Sequence, residues 1–263
     1  MITDSFDPQS PEIVKAKDTI TQKGKELARA FSVDTVILTF SGKLIDALRE
    51  KGQIEPLHED LSIGSAAYKS PIFQIPNTSI GVVLSAIGAP NIAAVLEELA
   101  TLFPIRSCIV FGSCGALTDL PEGHVIVPTH AYRDEGTSYH YAEPGHYILI
   151  KNAAKLARLF DELGIDYVEG RTWTTDAFYR ETAHNREKRM AEGCLCVEME
   201  CSAAQAVCDY RGLELYQFVY AADSLNDKWA RRILGNLEMD ARMRYFFLAL
   251  EIAKHILEEK TNS

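Results

Sequence analysis

Short apolar runs rich in β-branched residues recur along this chain, and segments with helical periodicity separate them. The runs that predict strands lie at 35–40 (TVILTF), 79–86, 108–112, 124–131, 167–174, 194–199 and 214–222. Unbroken apolar strands are typical of a sheet that helices cover on both faces. We therefore expect an α/β fold, and the absence of a long linker or an internal repeat favours a single domain over residues 1–263.

The segments between these runs predict the helices of the covering layers. They lie at 43–51, 91–102, 151–163, 181–191, 202–211 and 237–259, with Asn91 as the expected cap of the second. Residues 1–33 are expected to form an N-terminal arm and a surface helix. Ser10, Pro11 and Glu12 form a typical helix start, which predicts that this charged helix covers 13–30.

Composition excludes several classes of protein. Of the 263 residues, 47% are hydrophobic and 24% charged, so the chain is neither disordered nor a small disulfide-stapled scaffold. The 37 acidic and 27 basic residues give a net charge of −10, which disfavours nucleic acid and membrane lipid as partners. No signal peptide is recognisable at the N-terminus. The six cysteines form no C-x-x-C pair, so we expect reduced, buried thiols in a cytoplasmic protein.

Small residues follow three of the predicted strands, at the strand ends where α/β sheets bind their ligands. They are Ser41 and Gly42, the IGAPN segment at 87–91, and the GSCG segment that contains Gly112 and Ser113. Such turns expose backbone N–H groups and a hydroxyl, which suits an anion or a hydroxylated ligand. Close packing of a strand against a helix is the other explanation for each of them.

Acidic residues end two further strands. In the segment CVEMEC, Glu198 and Glu200 flank Met199, so both carboxylates share one face of an extended backbone. Buried carboxylates need partners, and vicinal sugar hydroxyls would provide them. The alternative is that one glutamate faces solvent and the other caps the next helix. Asp223 directly follows the predicted strand at 214–222. It is either a second functional acid or a turn residue. No histidine lies near these acids in sequence, so no metal site is expected.

Aromatic residues cluster after the strand at 167–174. Trp173, Phe178 and Tyr179 lie within seven positions of one another. An aromatic side chain at a strand end can stack on a planar ring, although core packing explains the same pattern.

Five segments together resemble one known family. They are IGAPNIAAVLEEL (87–99), FGSCGAL (111–117), RDEGTSYHY (133–141), TTDAFYRET (174–182) and VEMECSA (197–203). On these motifs the chain resembles the nucleoside phosphorylase-I family, which contains purine nucleoside phosphorylases, uridine phosphorylases and related nucleosidases. The resemblance extends from about residue 35 to the last helix. It implies a phosphorylase/hydrolase-like, three-layer α/β/α fold with a central mixed, partly barrel-like sheet.

The resemblance also implies roles for individual residues. Phe178 matches the aromatic that packs on the base, Glu200 the carboxylate that binds the ribose hydroxyls, and Met199 the residue beneath the sugar. Glu198 matches a further pocket position. Asp223 matches the acid that assists departure of a purine at N7, a position that uridine-specific members typically lack. General-acid help of this kind eases the departure of a purine.

The phosphate-binding part of the family pattern is incomplete in this chain. Ser41, Gly42, Gly112 and Ser113 match the pocket of the attacking nucleophile. The loop at 39–46 has no arginine, however, and Val110 stands where the family usually has another. Bidentate arginine contacts are the strong ones for phosphate. Three other cationic residues are candidates to replace the missing ones: Lys43, Arg133 and His140.

The resemblance therefore implies cleavage of a nucleoside, with a purine favoured, by phosphate to give the free base and ribose 1-phosphate. The alternatives are hydrolysis by water, phosphorolysis of uridine, and a nucleoside-binding protein whose catalysis has degenerated. No cofactor is implied besides inorganic phosphate as co-substrate. The family also implies a homodimer or a hexamer built as a trimer of dimers, with active sites shared between subunits.

Overall fold

The alternation of strands and helices is confirmed by the computed structural model, which describes residues 1–64, 69–225, 230–231 and 239–261. The strands are β1 (Thr35–Thr39), β2 (Glu55–Pro56), β3 (Ser62–Ile63), β4 (Ser70–Gln74), β5 (Ile80–Leu84), β6 (Ser107–Ala116), β7 (Val125–Asp134), β8 (Tyr147–Leu149), β9 (Tyr167–Thr175), β10 (Cys194–Glu198), β11 (Glu214–Ser224) and β12 (Ala230–Arg231). The α-helices are α1 (Ala16–Thr19), α2 (Gln22–Ala28), α3 (Gly42–Glu50), α4 (Ala89–Leu102), α5 (Ala153–Leu163), α6 (Ala183–Ala191), α7 (Cys201–Arg211) and α8 (Met239–Thr261). Short 3-10 helices lie at Ile2–Asp4, Thr137–His140 and Phe178–Arg180.

The main sheet is mixed, and half of it closes on itself. Its strand order is β12-β11-β7-β9-β10-β6-β1-β5-β4-β2, and β11 also pairs with β6. The strands β6, β11, β7, β9 and β10 therefore form a closed, barrel-like ring that contains both parallel and antiparallel pairs. From this ring β1, β5, β4 and β2 extend as an open wing. The expected mixed, partly barrel-like sheet is confirmed.

Alternating side chains of β1 show how the sheet is covered on both faces. Ile37 belongs to a buried cluster that includes side chains of α3, α5 and α8. Its neighbours Val36 and Leu38 point the other way, into a cluster that includes α2, α4 and α7. Because successive strand residues face opposite sides of a sheet, an unbroken apolar strand requires two apolar layers. The three-layer α/β/α arrangement follows.

The prediction of one continuous helix over 13–30 is wrong, because the structure has two short helices there. Helix α1 begins only at Ala16, and an extended residue, Ile20, separates it from α2. Thr21 then caps α2, since its hydroxyl accepts the backbone N–H of Gly24 at 3.0 Å. Ser10, Pro11 and Glu12 do not start a helix. Glu12 instead forms an ion pair of 2.9 Å with Arg211 of α7, so a tertiary contact overrides the local signal.

Two further local predictions are wrong. Asn91 does not cap its helix: α4 begins at Ala89 after Gly88, and the Asn91 amide donates to the carbonyl of Ile87 at 2.6 Å. The GSCG segment is not a turn, because β6 continues through residues 112–116. Parallel pairing with β11 holds this segment extended, with Ser113 opposite Tyr220.

The other predicted elements start and end within two residues of their expected positions, except that β6, β7 and β11 run further than expected at their C-terminal ends. The sequence did not predict five strands of the structure: β2, β3, β4, β8 and β12. The closing helix was expected from 237, and residues 237–238 lie outside the described residues. All six cysteines are buried as free thiols, as expected. Within the described ranges, no helix combines the length and the apolar character that crossing a membrane requires.

Candidate active site

A cavity of about 750 Å³ opens where β1, β6 and β11 end, which is the edge that the sequence indicates. Its volume lies within the range of about 300–1,000 Å³ that is usual for small-molecule sites. Six of the sequence-predicted residues lie on its wall: Ser113, Phe178, Glu198, Met199, Glu200 and Asp223. The topology thus brings together residues that are separated by up to 110 positions in the chain.

Glu198 is buried, and both of its carboxylate oxygens are engaged within the protein. One oxygen accepts the hydroxyls of Thr174 at 2.6 Å and Thr172 at 3.2 Å. The other accepts the backbone N–H groups of Glu200 at 2.7 Å and Cys201 at 2.6 Å, at the start of α7. Burial raises the pKa of this carboxyl, and the four hydrogen bonds oppose that rise. Glu198 therefore acts as a helix cap that braces the strand-to-helix junction.

Removing this brace should destabilise the protein. Replacement of Glu198 by alanine leaves two hydroxyls and two backbone N–H groups without their acceptor, and we expect a loss of about 3 kcal/mol in the free energy of unfolding. Glu198→Gln keeps one carbonyl oxygen and the side-chain volume, so its loss should be about half as large. Urea unfolding followed by circular dichroism measures both values. Equal stability of the alanine variant and the wild type would contradict this assignment.

Glu200 lies two residues further on and faces the cavity. It is 8% exposed, and its Oε1 accepts the backbone N–H of Gly88 at 2.6 Å. The backbone of Gly88 has φ +105°, a conformation that residues with a side chain rarely adopt. The turn before α4 thus positions the carboxylate. The pKa of Glu200 is raised to about 8. Burial is the larger cause, and the negative charge of Glu198 is the second.

Aromatic and acidic side chains also line the cavity. The ring of Phe178 is about half exposed, and its centroid lies 3.9 Å from that of Tyr179. Asp223 is half-buried near the end of β11, directly after a β-bulge between Ala221 and Asp223. A bulge re-aims the side chain that follows it, which turns Asp223 toward the cavity.

Sequence reasoning missed Glu181, which lies on the same wall three residues after Phe178. Burial raises the pKa of its carboxyl to about 7. Its position in the TTDAFYRET motif was visible, but a glutamate next to a helix start resembles an ordinary surface residue.

The nucleophile end was expected near Ser41. The Ser41 hydroxyl caps α3 by accepting the backbone N–H of Leu44 at 3.3 Å. The ring of Phe40, which lies on the cavity wall, packs closely over Gly112, where a Cβ atom would lie 2.9 Å from it. Because Gly112 has no side chain, Phe40, the first residue after β1, has room to reach the cavity. Gly42 and Lys43 follow in the first turn of α3, and both are exposed.

Sequence reasoning also missed Arg242, on the first turn of α8. Its Nη1 donates to the Ser41 hydroxyl at 2.7 Å. The two residues are 201 positions apart, and no local pattern around either one indicates the contact.

Two of the candidate cationic residues lie elsewhere. Arg133 donates to the hydroxyl of Ser138 at 2.8 Å and to the carbonyl of Glu143 at 2.6 Å, and its guanidinium stacks 4.0 Å from the ring centroid of Tyr139. It therefore braces its own loop. His140 lines a second cavity of about 1050 Å³ between the N-terminal arm and α4. The structure brings neither residue to the cavity that holds Glu200.

This is the fold of nucleoside phosphorylases and nucleosidases, enzymes that break the bond between a sugar and a base. The model of the Phosphorylase superfamily matches residues 34–242. This is well over half of the chain, and the chain belongs to that superfamily.

Two bacterial relatives illustrate the sequence similarity. The chain is 26% identical over 196 residues to a DeoD-type purine nucleoside phosphorylase of Caldanaerobacter subterraneus subsp. tengcongensis, a match that covers 68% of this chain and 80% of the relative. It is 28% identical over 153 residues to the DeoD-type purine nucleoside phosphorylase of Alkaliphilus metalliredigens, a match that covers 56% of this chain and 64% of the relative.

Solved structures show the same fold at lower identity. An AMP nucleosidase of Bacteroides thetaiotaomicron has a TM-score of 0.66 at 16% identity, over 90% of this chain and 99% of that one. A purine nucleoside phosphorylase of Toxoplasma gondii in complex with immucillin-H has a TM-score of 0.61 at 21% identity, over 75% of this chain and 79% of that one. A uridine phosphorylase of Vibrio fischeri also has a TM-score of 0.61 at 21% identity, over 85% and 86%.

Proposed function

We propose that this protein is a nucleoside phosphorylase that cleaves purine nucleosides with phosphate, giving the free base and ribose 1-phosphate. One observation carries the proposal: Phe178, Glu200 and Asp223 lie on the wall of a single cavity. An aromatic ring, a carboxylate and a second acid are the groups needed for a planar base, for sugar hydroxyls and for a leaving group that must gain a proton.

In the proposed reaction each of these side chains has its own task. Glu200 accepts hydrogen bonds from the ribose hydroxyls and stabilises the positive charge that develops on the sugar. An oxygen of phosphate forms a bond to the anomeric carbon while the bond to the base breaks. The bonding electrons leave with the base, and Asp223 donates a proton or a hydrogen bond to N7, which neutralises the departing ring. Phosphate lies near Ser41 and Ser113 in this proposal, and no other cofactor takes part.

Hydrolysis is the second candidate function. It is favoured by the lack of an arginine in the loop at 39–46, and by similarity in fold to an AMP nucleosidase and to the futalosine hydrolase of Helicobacter pylori. That loop also offers no glutamate to activate a water molecule. Phosphorolysis therefore remains the better supported of the two.

One assay separates the candidates. Base release from inosine, adenosine and uridine is followed with and without inorganic phosphate. Phosphorolysis predicts release that requires phosphate and is faster with the purine nucleosides. Equal release without phosphate would establish hydrolysis instead, preference for uridine would establish a uridine phosphorylase, and binding without turnover would overturn both enzyme proposals.

We also propose a cytoplasmic homo-oligomer, either a homodimer or a hexamer. Two apolar side chains of the N-terminal arm, Ile13 and Val14, are 99% and 71% exposed beside the second cavity. Exposed apolar residues that adjoin a large cavity are typical of a surface that another subunit covers.

The choice between purines should depend on pH through Glu181. Its carboxyl, with a pKa of about 7, is mostly protonated below that pH and ionised above it. The protonated form can donate to N1 of a 6-aminopurine and accept from its amino group, whereas the ionised form accepts the N1–H of a 6-oxopurine. From about pH 6 to about pH 8 the ionised form becomes about tenfold more abundant and the protonated form about tenfold less, so we expect the ratio of kcat/KM for inosine to that for adenosine to rise by up to about a hundredfold.

Glu181→Gln is the matched control for this pH dependence. Its carboxamide donates and accepts at every pH and can pair with either kind of purine, so the ratio should be nearly constant with pH. Ionisation of Glu200, whose pKa is about 8, cancels in the ratio because both substrates carry the same ribose. A ratio that keeps its full pH dependence in the glutamine variant would contradict the assignment.

A further inference from the structure

We infer that Arg242 of α8 binds the attacking phosphate, together with the hydroxyl of Ser41. This inference rests on the proposed phosphorolysis and adds to it a residue from the far end of the chain. The acidic side chains on the cavity wall are Glu181, Glu198, Glu200 and Asp223, and among the described residues no lysine or arginine lines it. An anionic co-substrate needs a compensating cation.

The packing of α8 directs Arg242 toward the sheet. Phe246 is fully buried and lies four positions later, so it shares a helix face with Arg242. The ring of Tyr245 stacks on Tyr220 of β11, with centroids 4.1 Å apart and planes 2° apart. The Tyr245 hydroxyl also donates to the carbonyl of Gly123 at 2.7 Å. These contacts fix the first turns of the helix, and with them the base of the Arg242 side chain.

Arg242 lies near two strand ends that adjoin the cavity. It donates to Ser41, the second residue after β1. Its positive charge also acts on the buried hydroxyl of Tyr220, where it opposes the rise in pKa that burial causes. Tyr220 is the direct β11 neighbour of Ser113, which lines the cavity. Arg242 therefore lies beside Ser41 at the end of β1, and near Tyr220, whose partner in β6 is Ser113.

The hydrogen bonds at Ser41 leave donors available for an anion. The Ser41 oxygen accepts both the N–H of Leu44 and Arg242 Nη1, so its own hydrogen is left to donate outward. The guanidinium has five N–H donors, and within the described part of the chain its hydrogen-bond partner is a neutral hydroxyl and not a carboxylate. Arginine and serine thus form a donor pair suited to two oxygens of one phosphate.

Steady-state kinetics with the full-length protein tests this inference. In Arg242→Gln we expect KM for phosphate to rise at least about thirtyfold, while KM for the nucleoside stays within about twofold. Arg242→Lys retains the charge but loses the planar fork, so it should recover part of the phosphate affinity. Arg244→Gln is the matched control, because Arg244 lies on the exposed face of the same helix turn, and its KM for phosphate should not change.

A direct binding measurement distinguishes failure of this inference from failure of the proposed function. Titration calorimetry with inorganic phosphate should detect binding to the wild type and to Arg244→Gln, and much weaker binding to Arg242→Gln. Phosphate-dependent turnover with an unchanged KM for phosphate in Arg242→Gln would overturn the inference alone. Base release that is independent of phosphate, in a wild type that does not bind phosphate, would overturn both. Thermal unfolding of each variant shows whether it is folded, and the lysine variant provides the comparison if the glutamine variant is not.

Discussion

Replacing Glu200 with alanine is expected to lower kcat/KM for nucleoside cleavage by on the order of a thousandfold or more, which abolishes turnover in an ordinary assay. The carboxylate is buried at the cavity wall, where its charge acts on the sugar with little screening by water. Without it, the positive charge that develops on the ribose loses its main stabilising partner. The measurement is base release from inosine in the presence of phosphate at about pH 9, where Glu200, whose pKa is about 8, is ionised.

Glu200 also accepts the N–H of Gly88, so the control must separate sugar binding from positioning of α4. Glu200→Gln keeps an oxygen for Gly88 but carries no negative charge, and we expect it to be stable yet still strongly impaired. An inosine analogue that lacks both ribose hydroxyls should be cleaved about equally slowly by the wild type and both variants. Cleavage of inosine by Glu200→Ala at the wild-type rate would refute the sugar-site assignment.

Asp223→Asn should reduce the cleavage of purine nucleosides by on the order of a hundredfold or more, with a much smaller effect on any cleavage of uridine. Asparagine retains the size of the side chain and its ability to donate a hydrogen bond, but it cannot transfer a proton to N7. Uridine has no N7, so its cleavage does not depend on this step. The measurement is the ratio of kcat/KM for inosine to that for uridine in the wild type and the variant.

A substrate whose base is already activated provides the control for Asp223. In 7-methylguanosine the ring carries a positive charge at the position where the acid would act, so it departs as a neutral base without a proton. The asparagine variant should therefore lose far less activity toward this substrate than toward inosine. An equal loss on 7-methylguanosine, inosine and uridine would show that Asp223 supports the structure of the pocket and does not act on the base.

Local sequence predicted most of the fold because the dominant signals act over short distances. Apolar runs such as TVILTF become strands with both faces buried, and the structure places Ile37 and its two neighbours in opposite layers. The exceptions have identifiable causes. Pairing with β11 extends β6 through Ser113, and the ion pair of Glu12 with Arg211 holds the arm where a helix start was expected.

The two glutamates of CVEMEC illustrate how far sequence reasoning reaches into the site. Their spacing predicted that both lie at the same strand end, and the structure places both on the cavity wall. The spacing did not distinguish their tasks. Glu198 has its oxygens engaged by Thr172, Thr174 and the start of α7, whereas Glu200 contacts the turn at Gly88. Those partners come from three other elements, which no pattern around the glutamates reveals.

The sequence by itself determined the class of fold, the superfamily and the strand end at which the acids lie, because periodicity and motif residues are properties of neighbouring positions. Only the tertiary structure decided which glutamate is a brace, that Glu181 joins the cavity wall, and that Arg242 reaches Ser41 across 201 positions. Closure of the five-stranded ring and packing of α8 against it bring these residues together. Such contacts depend on how distant elements pack in space, and that arrangement leaves no local signal in the chain.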